Sequence, residues 1–441
     1  MLSHIVQMGR VVVVPPKTEH GWWILGLLLF SMLSEGVVIP VLGRAPNLTL
    51  FEIFLPIIVL YLVAQNFLGD YYAGFYDKTI LYLGLIYLLA HFLSLLVNYQ
   101  DVLRGLVAIK IFAFGFLTYW VLNATVRSKT GLERATNVLI LWGAVLGLIL
   151  LYRFVEDWSS VIGPEASYEV KNQINIFGWA RNNYLAALLV PILPLTVGTA
   201  LAKRGIQRML MILAVGLMAF GILITLSKGA ILSLIFGSLC AVRVFRRAGI
   251  GVRHLLAFVL FAAGFLIIIP TDLIATNYNM FVYFAENSDV GRLDLLRVAW
   301  HEFQRNPIFG VGPYCIYIYN YQAGIDDLYT HNFVLNVLAD LGLLGAIPFL
   351  ALIAMLVRRS YKSCLATHAA PEFRWISVGL FVGILSTLAN GLVEPTFPSR
   401  EYSVIFWVCA SLIFLYDPSR STILYKRVGD DRPVSLVPKH T

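Results

Sequence analysis

Blocks of about 20 mostly apolar residues recur along this 441-residue chain. Each is long enough to cross the hydrocarbon of a bilayer as a helix. Twelve such stretches are read: about 21–42, 47–67, 78–98, 103–123, 135–155, 182–202, 207–226, 229–245, 254–270, 333–357, 374–393 and 401–417. The stretch 207–245 is taken as two helices with a tight break at Ser227-Lys228-Gly229. One continuous helix there would run about 58 Å, roughly twice the hydrocarbon thickness. Composition agrees, with 59% hydrophobic residues and 13% charged, against roughly 25% charge in soluble chains. Too few polar residues remain to clothe a single water-soluble core. Disordered, collagen-like and disulfide-scaffold chains are excluded on the same grounds. The expected fold class is an all-α polytopic membrane protein with about twelve transmembrane helices. The four cysteines, Cys240, Cys315, Cys364 and Cys409, form no CxxC pair, so neither a zinc site nor a disulfide framework is expected.

Lys and Arg fix the expected orientation, because cytoplasmic loops are enriched in them. With the N-terminus inside, cytoplasmic segments hold Arg127, Lys129 and Arg134; Lys203, Arg204 and Arg208; Arg243, Arg246, Arg247 and Arg253; and Arg358, Arg359, Lys362 and Arg374. A basic tail follows, so both termini are expected in the cytoplasm. The net charge of +8 is therefore a topology signal, and no nucleic-acid partner is expected. The Val11–Val14 run before Pro15-Pro16 is too short for a signal peptide, and the N-terminus is expected to be retained. The chain divides into helices one to nine over 1–270, an outer loop over 271–332, helices ten to twelve over 333–417, and the tail 418–441. Long loops with their own secondary structure tend to be functional. No internal two-fold similarity of the kind common in transporters is visible.

The long loop carries a readable helix over about 290–305. Leu293, Leu296, Trp300 and Phe303 share one face, Ser288 and Asp289 are cap candidates, and Arg292 and Arg297 lie off the stripe. This pattern fits an amphipathic helix lying on the membrane face. A Tyr-rich segment follows with Tyr314, Tyr317, Tyr319, Tyr321 and Tyr329, either an interfacial aromatic belt or a platform for sugar rings. His331-Asn332 stand at the entry of span ten, where an imidazole can take a proton near neutral pH. Lys110, Asp340 and Glu52 are charges inside apolar spans, which are costly there and functional candidates by default. Asp340 lies about 13–14 Å along the helix from His331, too far for a direct hydrogen bond. It is expected to hold span ten against its neighbours. Lys228, Arg181, Arg292 and Lys171 gather cations at the outer mouth, which fits either anion binding, with pyrophosphate as the candidate, or lipid headgroups. Walker A, GxGxxG, HExxH and GxSxG patterns are absent from the sequence. Asp326-Asp327 have no further metal ligand at suitable spacing.

Several short motifs in this order resemble the O-antigen ligase/polymerase superfamily. Leu226-Ser227-Lys228-Gly229-Ala230 is similar to its LSRG segment, with Lys in place of Arg. Asn306-Pro307-Ile308-Phe309-Gly310-Val311-Gly312 resembles its P-hydrophobic-x-GxG turn. Thr330-His331-Asn332-Phe333 with Asp340-Leu341-Gly342-Leu343-Leu344-Gly345 resembles its HN…(E/D)-x-GllG signature. Arg181-Asn182-Asn183-Tyr184-Leu185-Ala186 resembles the start of a family helix. The likeness covers roughly 180–350. It implies a GT-C-like inner-membrane glycosyltransferase working without a metal or other cofactor. The implied donor is a glycan on undecaprenyl pyrophosphate, and the implied acceptor is a sugar of lipid A-core or of a growing polysaccharide. It implies His331 as base or as the group orienting the acceptor hydroxyl. Arg292 and Lys228 are the implied pyrophosphate clamps, with Arg181 beside them. Asn332, Asp340 and Tyr329 are expected to support the site. Lys at 228 lacks the bidentate fork of Arg. Ligase is the preferred expectation, a repeat-unit polymerase the alternative, and a transporter of the same lipid-linked glycan the alternative of another class.

Overall fold

The computed structural model describes residues 21–33, 37–38, 47–67, 77–126, 128–157, 182–225, 227–247, 292–325, 329–365, 371–395, 397 and 399–417. The helices are α1 (Gly21–Ser31), α2 (Leu50–Phe67), α3 (Lys78–Val97), α4 (Val102–Thr125), α5 (Lys129–Asp157), α6 (Asn182–Leu189), α7 (Ile192–Ala202), α8 (Gly205–Ile224) and α9 (Lys228–Arg247). A helix over 292–305, α10, precedes α11 (Ile316–Gln322), α12 (Phe333–Leu365), α13 (Pro371–Gly391) and α14 (Arg400–Leu415). Val37–Val38 and Asn47–Leu48 form a minimal antiparallel pair.

Seven helical stretches among the described residues are long and apolar enough to cross a membrane. α1, the Leu50–Ala64 part of α2 and the Lys228–Val242 part of α9 are shorter apolar helices. The expected break near 227–229 is present, since α8 ends at Ile224 and α9 starts at Lys228. Span nine (254–270), Arg181, Lys171, Ser288, Asp289, Asp326-Asp327 and the tail lie outside the described residues.

The bundle is organised around α14. Every residue from Glu401 to Leu415 is buried, as expected of a helix that is apolar all round. α14 packs on α4, α13 packs on α7 and α9, α5 on α8, and α12 on α3. By contrast, Ile206, Met209, Leu210 and Leu213 of α8 and Leu232, Ile235, Phe236 and Leu239 of α9 are exposed. Exposed apolar stripes of this kind are the surface that lipid covers in a membrane protein.

Two of the intramembrane charges satisfy each other. Lys110 Nζ stands 2.9 Å from Glu52 Oε1, and Arg400 Nη1 stands 3.3 Å from the same oxygen. Arg400 also pairs with Glu401, which accepts the Tyr184 hydroxyl. Glu52 and Lys110, the functional candidates inside apolar spans, thus belong to an ion network joining α2, α4, α6 and α14.

α12 is a broken helix. Gly342 has φ 61 and ψ −160 in its middle, and the turn 307–312 inserts its backbone into the gap. Leu343 N–H donates to Pro307 O (2.8 Å) and Leu344 N–H to Ile308 O (3.1 Å), while Val311 N–H and Gly312 N–H donate to the carbonyls of Ala339 (2.9 Å) and Asp340 (3.0 Å). The groups released by the break are thus re-satisfied, which membrane-depth backbone requires. Glycine is needed on both sides. A Cβ at Gly342 would lie 2.4 Å from Ile308 O, and one at Gly310 (φ +67) would lie 2.4 Å from Asp340 O. The two glycine motifs seen in the sequence are therefore the two halves of one interlock. α3 locks it from the side: Ser94 Oγ lies 2.7 Å from Phe309 O and 3.0 Å from Asp340 O, and Asn98 Nδ2 donates to Gly310 O at 3.0 Å.

Candidate active site

The interlock lies at 339–344 inside α12, and His331 stands just before the start of that helix. Asn332 caps the helix, its Oδ1 accepting from Val334 N–H (3.0 Å) and Leu335 N–H (3.1 Å), as short polar side chains do at helix starts. Its Nδ2 reaches Leu392 O in the turn after α13. This contact ties the start of α12 to the end of α13. His331 itself has φ 53, a left-handed conformation that costs a non-glycine residue on the order of 1–3 kcal/mol.

Asp340 is joined to this bend indirectly. Its Oδ2 accepts from Asn336 Nδ2 at 2.7 Å, and Asn336 Oδ1 accepts from Thr330 N–H at 3.3 Å. Its Oδ1 accepts from Ile316 N–H at 3.1 Å, at the start of α11. Asp340 therefore holds α12 against the start of α11, as expected of it, and reaches the His331 bend through Asn336. Its carbonyl adds a contact to α3, through Ser94.

The centre of the arrangement is Glu394, 4% exposed. His331 Nδ1 lies 3.7 Å from its Oε2. Arg292 Nη2, at the start of α10, lies 3.5 Å from its Oε1, and Asn183 Nδ2 of α6 donates to the same oxygen at 2.9 Å. A Cβ at Gly229 would stand 3.2 Å from Glu394 Cγ, so the first turn of α9, which starts with Lys228, abuts it too. Arg292 keeps 40% of its side chain exposed, and its long contact with Glu394 leaves the guanidinium able to serve an incoming anion. The structure thus brings His331, Arg292 and the α9 start together. Tyr329 stands one step away, its ring edge-on to Tyr314 at 6.0 Å.

Glu394 and Asn183 are the residues that the sequence does not single out. Asn183 sits within the quoted Arg181–Ala186 segment. Glu394 sits in Glu394-Pro395 at the end of an apolar span, where a carboxylate looks like an ordinary boundary charge.

The other loop features resolve differently. In α10, Leu295 and Ala299 turn inward, Ala299 packing with Ile316 and Ala339, while Leu293 and Trp300 stay exposed. Part of the Tyr-rich segment is used in packing. Tyr317 donates to Asp101 Oδ2 at 2.8 Å under the Arg104 guanidinium, 3.8 Å from the ring centre. Burial and the Asp101 carboxylate raise the Tyr317 hydroxyl above its ordinary value. No cluster of three or more potential metal ligands occurs among the described residues.

Residues 213–350 match the family described as O-antigen ligase. Over that stretch the chain is similar to the O-antigen ligase domain. This domain contains Lys228, Arg292, Tyr329, His331, Asn332 and Asp340, whereas Asn183 and Glu394 reach the site from outside it. No curated protein matches the chain. The apolar helices mark a membrane protein, and the similarity over 213–350 points in general to the O-antigen ligase or polymerase type.

Proposed function

We propose that the protein is a glycosyltransferase of the bacterial inner membrane. In this account it moves a glycan from an undecaprenyl-pyrophosphate donor to a sugar hydroxyl of lipid A-core on the periplasmic face, with both termini in the cytoplasm. The observation that carries the proposal is the convergence of His331, Arg292 and Asn183 on buried Glu394.

With Nδ1 turned to Glu394, Nε2 of His331 is the nitrogen assigned to the acceptor hydroxyl. The imidazole takes the hydroxyl proton as the oxygen attacks the anomeric carbon. The carbon–oxygen bond to the pyrophosphate breaks, and the electron pair leaves with the phosphate. Glu394 stabilises the imidazolium, as a buried carboxylate beside a base does. Its 3.7 Å separation from Nδ1 is beyond hydrogen-bond distance and becomes an ion pair when the ring takes the proton. Such contacts tighten when substrate binds. Arg292 and Lys228 are assigned to the growing negative charge of the leaving group, and the sequence assigns Arg181 the same role. Asn183 fixes the carboxylate, and Asn332, Asp340 and Tyr329 hold the bend that presents His331.

The test uses the full chain in liposomes with labelled undecaprenyl-pyrophosphate glycan and lipid A-core. Label transferred to the core supports the proposal. Glycan crossing the bilayer without transfer overturns it in favour of transport. The same centre serves a polymerase, and cells lacking the protein separate the two. Polymer accumulating on the carrier lipid marks a ligase, and single-repeat products mark a polymerase.

A further inference from the structure

The end of α13 carries a line of buried polar side chains that leads up to the catalytic centre. Ser386, Asn390 and Glu394 follow one another at the four-residue spacing of one helical face. Val393 N–H and Glu394 N–H donate to the Asn390 carbonyl at 3.0 and 2.9 Å, so the helical stacking continues past Gly391 as far as Glu394. The line faces α9. A Cβ at Gly237 would collide with Ser386 Oγ, and one at Gly229 would stand 3.2 Å from Glu394 Cγ. Asn390 falls between these two contacts, opposite the Gly229–Gly237 stretch with Ser233 at its middle. Ser233 is buried, and its hydroxyl donates to Ala230 O at 2.7 Å.

Asn390 is fully buried, and among the described residues neither its Nδ2 nor its Oδ1 has a hydrogen-bond partner. A buried amide is costly unless its groups are paired, and a native exception calls for an explanation of its own. Glu394 supplies one. Its Oε1 accepts from Asn183 Nδ2 at 2.9 Å and meets Arg292 at 3.5 Å. Its Oε2 faces His331 Nδ1 at 3.7 Å and accepts no hydrogen bond among the described residues. A carboxylate has lone pairs for about four donors, and an amide nitrogen carries two. An acceptor in need of donors thus stands one helical turn from donors in need of an acceptor, within reach of a side-chain rotation.

We propose that Asn390 is a positioning residue for the transfer step, donating from Nδ2 to Glu394 Oε2 as the His331 imidazole takes the acceptor proton. The assignment rests on the glycosyl-transfer reading above. As the carboxylate draws onto the imidazolium, the amide one turn below supplies the hydrogen bond that holds it there. An interaction made only in the transition state raises kcat and leaves substrate binding as it was. Asn390 differs in this from Asn183, which already holds the carboxylate in the resting structure.

Three variants test it in liposomes with labelled undecaprenyl-pyrophosphate glycan and lipid A-core, each with its melting temperature in detergent. Asn390→Ala removes the amide, and Asn390→Leu replaces it with apolar bulk. Ser386→Ala removes a hydroxyl of the same seam that is equally buried and unpaired among the described residues. That hydroxyl lies two turns, about 12 Å along the helix, from the carboxylate. The expected result for both Asn390 variants is a kcat lowered by about 10- to 100-fold, the worth of one hydrogen bond to a charged group. Donor and acceptor KM stay unchanged. The melting temperature of Asn390→Ala is no lower than that of the unaltered protein, because no resting bond is lost. Ser386→Ala keeps the full rate. An unchanged kcat in Asn390→Ala, with the unaltered protein active, overturns the assignment alone. So does a melting temperature that falls together with the rate, or an equal loss in Ser386→Ala, since the effect then belongs to packing of the seam. A raised KM at constant kcat makes Asn390 a substrate-binding residue and overturns the assignment as well. No transfer by the unaltered protein overturns the glycosyl-transfer reading and the assignment with it.

Discussion

His331 and Glu394, from the entry of α12 and the turn after α13, face each other across 3.7 Å between Nδ1 and Oε2. A base held beside a buried carboxylate keeps its orientation and gains a counter-charge when protonated. Replacing His331 by Ala is expected to abolish transfer while the protein stays folded, because the residue stands at a helix entrance and not in the packed core. Glu394→Gln, which preserves shape, is expected to lower the transfer rate by roughly 100-fold. Rates in liposomes, with elution profile and melting temperature as folding controls, check both. A fully active His331→Ala protein removes the base assignment.

Arg292 is held loosely, and its expected work is on the donor. Arg292→Ala should raise the donor KM by about 10-fold or more, with Arg292→Lys recovering part of the loss because a point charge replaces a fork. Titration of the lipid-linked donor measures this. A donor KM unchanged in Arg292→Ala would place the pyrophosphate clamp elsewhere.

The Gly310–Gly342 interlock predicts a purely structural effect. Gly342→Ala must accept a positive φ and a Cβ 2.4 Å from Ile308 O. A destabilisation of at least about 1–3 kcal/mol is expected, read as a lower melting temperature in detergent. A melting temperature equal to that of the unaltered protein would contradict the broken-helix geometry.

Ser94→Ala removes the hydroxyl that serves both Phe309 O and Asp340 O. Asp340 O keeps the Gly312 N–H, so the loss falls on Phe309 O, and a buried acceptor left without its donor costs roughly 1–3 kcal/mol. The loss should appear in the same melting assay and should be smaller than that of Gly342→Ala.

At the opposite end of the bundle, Asp77 caps α3 and pairs with Arg359. Burial opposes its charge, but Arg359 and the N–H groups of Thr79 and Ile80 hold its carboxyl below the ordinary 3.8. A carboxyl depressed on folding contributes stability that is present above its unfolded value and is lost as pH falls through the lower folded value. Acid melting below about pH 4 should therefore have an Asp77 component. Asp77→Asn should flatten the melting temperature over that window, and an unaltered acid profile in the variant would discount the pair.

Much of the bundle is legible in the sequence because hydrophobic length is a one-dimensional signal. The break at Ser227–Gly229 follows from arithmetic on helix length alone. The motifs at 306–312 and 340–345 are legible as motifs, but not as partners. Their contact is backbone to backbone, so no side-chain pattern encodes it. Glu394 escapes for a related reason, since its importance comes only from what α6, α10 and α12 bring to it. Glu52 and Lys110 are the converse case. Each looks isolated inside an apolar run, and only the packing of α2 on α4 shows that each is the other's counter-ion. In α10 the helical period is visible, yet two apolar stripes compete, and the period cannot say which one meets protein.

The inserted turn has a consequence for biogenesis. Pro307, Ile308, Val311 and Gly312 leave the ribosome before the helix whose gap they fill. Until that segment docks, the upper third of α12 exposes bare amide and carbonyl groups that hydrocarbon cannot solvate. Packing of this helix is therefore completed by the segment that precedes it in the chain, and the bend at His331 takes shape only once that closure is made.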